Sequence, residues 1–112
     1  MRREIAAISM YSMAAMAVNA SVSSAQEAMT AGSLYDNLSL EQVFAYKAGV
    51  IEGLAYVRFL KDNKDETGMQ CIKDWFYDSD DTQEKILDAF DHYPDYPVGP
   101  ILWALSKQQC GE

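Results

Sequence analysis

One histidine, two cysteines, three prolines and nine basic residues in 112 positions limit what this chain can do. His92 is the lone imidazole, so a zinc site, which takes four ligands drawn mainly from cysteine and histidine, is not expected. Cys71 and Cys110 are too far apart for a CxxC redox pair. His92 has Asp91 and Asp95 as neighbours, but the only serine near an apolar helix is Ser106. No nucleophile–base pair is recognisable, and an enzyme is not expected. Glycine-rich phosphate loops are missing, and no cofactor is expected. Nine Lys and Arg stand against seventeen Asp and Glu, a formal net charge of −8. Such a surface repels nucleic-acid phosphates and anionic lipid and suits a basic protein or a cation. No segment alternates with period two, so no sheet is expected.

The one long apolar run, Ile5 to Val18, follows a basic start at Met1-Arg2-Arg3. Small-residue exits follow at Val18-Asn19-Ala20 and Ser23-Ser24-Ala25. That order predicts a secretory signal over residues 1–20, with cleavage before Ser21 or, alternatively, before Gln26. The run is short for a bilayer core of roughly 30 Å, and no second run suggests a membrane span. Losing Arg2, Arg3 and Glu4 with the signal moves the net charge from −8 to −9. An even cysteine count after an export signal predicts one disulfide, Cys71–Cys110.

The rest reads as a flexible leader over residues 21–38 and a single all-α domain over 39–112, a bundle of about four helices. Ser39 and Gln42 form a capping box. Leu40, Val43, Phe44, Val50, Ile51, Leu54 and Val57 then recur at helical spacing, to about Lys61. Gly49 and Gly53 inside this helix each cost about 1 kcal/mol relative to alanine, which suggests that another backbone passes close. A second helix is expected over Thr67–Tyr77, burying Cys71, Ile72, Trp75 and Phe76. Asp81 with Glu84 signals the start of a third, carrying Ile86, Leu87 and Phe90 and stopping before Pro94. Pro97 suits the start of the last helix, where Ile101, Leu102 and Leu105 face inward.

Asp78, Asp80 and Asp81 begin like a calcium loop, but Gln83 stands where the loop needs its glycine. They read instead as an acidic, helix-capping turn. Tyr93, Tyr96 and Trp103 gather near the proline turn, where aromatics either complete a core or anchor an interface.

Several of these features come together in a resemblance. An export signal precedes A-x-K-x-G-V-I-x-G at residues 45–53; Cys71 follows, then His92-Tyr93-Pro94, then a closing helix ending on Cys110. The pattern resembles the Rap/Tai immunity proteins of type VI secretion, over roughly residues 39–110. Many members carry a further cysteine just before the first glycine, where this chain has Ala45 and Tyr46. The resemblance implies a small periplasmic helical protein that binds and occludes a cognate cell-wall amidase effector. It also allows a homodimer. Asp78, Asp80, Asp81, Tyr93, Asp95 and Tyr96 would be the contact residues. The alternative is a periplasmic acid-stress chaperone resembling the Hde proteins, whose carboxylates release apolar surface on protonation.

Overall fold

The computed structural model describes residues 29–112. The expected signal over 1–20, both cleavage points and the first part of the leader lie outside them. Five helices follow in order: α1 Ala31–Asn37, α2 Leu40–Lys61, α3 Thr67–Asp78, α4 Thr82–His92 and α5 Val98–Cys110. The described part is all-helical, and its one β-type pairing is the isolated bridge between Thr30 and Pro97.

The helix beyond the expected four is α1, which lies inside the segment read as a flexible leader. Thr30 caps it: its hydroxyl accepts from the Ser33 N–H, and the Ser33 side chain accepts from the Thr30 N–H. Two helix-end donors are thereby satisfied. Ala31 and Leu34 are fully buried, and Tyr35 sets its ring edge-on to Phe90 of α4. The domain thus begins by Thr30 rather than at Ser39. The segment was misread because its seven helical residues offer only two fully buried apolar positions and one acid.

In α2 the Ser39–Gln42 capping box is formed. The helix stops at Lys61, where Asn63 and Lys64 turn left-handed (φ 56° and 68°) and the Lys64 N–H returns to the Phe59 carbonyl at 2.9 Å. Its buried line is Val43, Lys47, Ile51 and Ala55, an i, i+4 row. The expected stripe is therefore only partly right: Leu40 is 80% exposed, and Phe44 and Val57 also face outward. Gly49 and Gly53 are a further correction. A methyl built on either meets nothing within 4 Å, so among the described residues no backbone passes close.

Ile72, Trp75 and Phe76 of α3, Ile86 and Phe90 of α4, and Val98, Ile101 and Leu102 of α5 complete one core with α1 and α2. Leu87, expected inside, is exposed. Pro97 is the N-cap of α5, in the extended backbone its ring favours. The Cys71 and Cys110 sulfurs lie 2.09 Å apart, at disulfide distance, which joins α3 to the end of α5. Arg58 reinforces that junction. Its guanidinium donates to the carbonyls of Gly111 (2.9 Å) and Cys110 (3.3 Å) and to the Asp62 carboxylate (2.7 Å).

Candidate partner interface

The connection from α4 to α5 is held from below by the start of α1. A helix opens with N–H groups that have no partner inside it. Here the Ala31 N–H donates to the Tyr96 carbonyl (2.9 Å) and the Gly32 N–H to the Pro94 carbonyl (2.8 Å). The Val98 N–H donates to Met29 in return (3.1 Å), and the Tyr96 N–H closes a turn on Tyr93 (3.1 Å). The Pro94 and Tyr96 carbonyls of this connection point inward, and its side chains are exposed. Tyr93 and Tyr96 are both about half exposed, with ring centroids 5.3 Å apart in an edge arrangement.

The two tyrosines wall one end of an apolar groove of about 410 Å³ between α4 and α5. Ala89 forms its α4 side, and Ile101, Ala104 and Leu105 form its α5 side. Leu105, expected in the core, is only half-buried because it faces this groove. Small residues at 89 and 104 leave the room. The groove offers aromatic and aliphatic carbon, the surface that takes up an apolar side chain from a partner.

The acidic turn lies at the other end of α4. Asp78, Asp80 and Asp81 are all exposed. Thr82 and Gln83 fix the turn by donating to the Trp75 and Phe76 carbonyls at the end of α3. Lys47, buried in α2, donates to Gln83 at 2.6 Å. Burial pushes the Lys47 amine below its ordinary range. Asp81 stands at the N-cap of α4 as expected, but its side chain makes no capping bond and reaches Lys85 at 3.2 Å instead.

The sequence-chosen residues therefore form two groups. Tyr93, Asp95 and Tyr96 share the α4–α5 connection; Asp78, Asp80 and Asp81 sit about 15 Å away, given the 1.5 Å rise per residue of the helix between them. Glu84, Asp88 and Asp91 bridge the gap as an exposed acidic ridge along α4, relieved by Lys85. The Asp91 charge also reaches Tyr35, whose hydroxyl is raised above its usual range by burial first and by Asp91 second.

His92 and Ser106 form no catalytic couple. His92 bonds the Asp88 carbonyl through Nδ1 (2.9 Å), while the buried Ser106 donates to the Trp103 carbonyl one turn back in its own helix (2.8 Å). Trp103 is exposed on the flank of α5, with the Lys107 ammonium 4.2 Å from its ring centre.

The sequence reading missed the support of the site, Met29 to Gly32, and the groove wall at Ala89 and Ala104. Thr30-x-x-Ser33 was the available signal, a capping box closed by serine rather than by the more common glutamate or glutamine. The chain matches no protein-family model, no curated protein and no solved structure.

Proposed function

We propose that this chain is a periplasmic immunity protein that binds a cognate peptidoglycan amidase effector of type VI secretion and occludes its cleft. One observation carries this reading furthest. An aromatic groove is braced at the end of an acidic ridge, with its backbone hydrogen bonds already made. A surface ordered before binding loses little entropy on association, and half-exposed tyrosines beside an apolar pocket are the residues that anchor interfaces.

In this reading Tyr93 and Tyr96 seat against the effector beside its cleft, and an apolar effector side chain fills the groove. Asp95, the α4 ridge and the Asp78–Asp81 turn face a basic rim, which speeds capture and fixes orientation. The protein acts by covering the cleft and performs no chemistry of its own. Export places it where the effector's substrate lies.

The test is inhibition of the amidase the chain captures. Tyr93→Ala and Tyr96→Ala should weaken inhibition far more than Trp103→Ala, which lies outside the groove. Equal effects at all three positions would refute the assignment of the groove.

A further inference from the structure

The apolar groove between α4 and α5 does not end at Leu105. Ala89, Tyr93, Leu105 and Gln108 also border a second hollow, which Lys85, Asp88 and His92 complete. Lys85 and Asp88 border a third, together with Asp81 and Glu84. Positions 81, 85, 88 and 92 recur at helical spacing, so the three hollows line up along one stripe of α4. Among the described residues they form a single open trough.

The chemistry of the trough changes along its length. The end at Tyr93 and Ile101 is apolar. The far end carries Asp81, Glu84 and Asp88, all exposed. Lys85, the basic residue there, reaches Asp81 at 3.2 Å and leaves the other two carboxylates uncompensated. The His92 Nδ1 lies 3.8 Å from the Asp88 carboxylate and bonds the Asp88 carbonyl instead. Gln108 stands at the join, exposed, where the apolar groove meets the second hollow. Its amide offers both a donor and an acceptor, which is what a peptide unit of a partner needs.

The spacing selects the form of that partner. Tyr93 stands five residues from Asp88 and nine from Glu84. Those separations are roughly 7.5 and 13.5 Å along the helix, at its 1.5 Å rise. An extended chain advances about 3.3 Å per residue and turns every second side chain to the same face. Its second and fourth residues beyond an anchor at Tyr93 therefore fall roughly 6.6 and 13.2 Å away, level with Asp88 and Glu84.

We propose that the trough binds one extended segment of the partner protein, with an apolar residue in the groove and basic residues two and four positions from it. Gln108 holds the backbone between them, and Asp88 and Glu84 face the two cations. The proposal rests on the groove being the partner site, and it adds the sequence the partner presents there.

Two synthetic pentapeptides test this: acetyl-Leu-Gly-Arg-Gly-Arg-amide and its reverse, acetyl-Arg-Gly-Arg-Gly-Leu-amide. Each is titrated to about 5 mM into the full disulfide-bonded chain and followed by amide NMR shifts. In at least one chain sense, saturable shifts are expected at Ala89, Ala104, Gln108 and Asp88. Serine in place of the leucine, or glutamate in place of both arginines, should weaken binding by roughly 5-fold or more, as should Asp88→Lys in the protein. Trp103→Ala should change nothing, since Trp103 lies outside the trough. No saturable shift with either peptide, which a trough filled by another part of the chain would also give, overturns the proposal; so does equal binding of the glutamate peptide. Failure of the peptides while an amidase is still captured would sink the segment alone. Peptide binding without capture of an amidase would sink the immunity reading and leave the segment standing.

Discussion

Gly32 donates its amide N–H to the Pro94 carbonyl at 2.8 Å, and a methyl at position 32 would stand 3.1 Å from that oxygen and 3.3 Å from the Pro94 Cβ. This contact sets the height of the Tyr93–Pro97 connection above the core. It makes the groove depend on a residue that touches none of it.

Gly32→Val should therefore lift the connection. The expected cost is about 1–3 kcal/mol of stability, typical of overpacking a close contact. Hydrogen exchange at the Tyr96 amide should speed up while exchange in α3 is unchanged. Uniform acceleration would mean that the substitution loosens the whole domain rather than the connection.

Gly68 serves Arg58 in a similar way. A methyl at position 68 would lie 2.5 Å from the Arg58 Nε and 2.8 Å from the Asp62 carboxylate. Gly68→Ala should push the guanidinium off Cys110 and Gly111, at a net cost of about 1–2 kcal/mol for charge-assisted bonds lost. Because both changes break the same clasp, Gly68→Ala and Arg58→Met should be strongly non-additive in a double-mutant cycle. Additive denaturation energies would show that the two residues act separately.

The disulfide should contribute more than the clasp. Cys71 and Cys110 are separated by 39 positions, and closing a loop of that size is worth roughly 4 kcal/mol in the chain-entropy account. Cys71→Ala with Cys110→Ala should lower the urea midpoint accordingly. The far end of α5 should then show the largest gain in hydrogen exchange, since α3 keeps its packing against α2.

Lys47 gives a pH signature. Its amine is buried, bonded among the described residues to Gln83 alone, and pushed below its ordinary 10.5 by desolvation. The unfolded chain then holds this proton more tightly than the folded one, so stability rises with pH between the lowered folded value and about 10.5. Lys47→Met should remove that rise and cost little at neutral pH. Gln83→Ala leaves the ammonium without its acceptor and should cost about 1–3 kcal/mol. If Lys47→Met keeps the alkaline rise, the rise belongs to another group.

Much of the fold was legible in the sequence because the signals were local. Ser39 and Gln42 marked the start of α2, Pro94 and Pro97 bounded the last connection, and Ile72, Trp75 and Phe76 announced the buried side of α3. Two features were not legible because they depend on tertiary placement. Thr30 and Tyr35 are held by contacts with Pro97 and Phe90, more than fifty positions away. In α2, apolar spacing alone could not show that Lys47 faces inward while Tyr56 and Val57 face out. The candidate site divided along the same line. Exposed tyrosines and aspartates could be named from the sequence, but the groove between them needs the α4–α5 packing that brings Ala89 and Ala104 together.

The measurement closest to the central claim is capture followed by assay. The disulfide-bonded chain is immobilised, exposed to the exported proteins of the organism that encodes it, and the retained protein is tested for peptidoglycan amidase activity. One amidase should be held near 1:1, inactive while bound, and lost when the bait carries Tyr93→Ala with Tyr96→Ala. A mixture of unrelated proteins retained only near pH 2–3, where carboxylates protonate, would contradict it and favour an acid-stress chaperone.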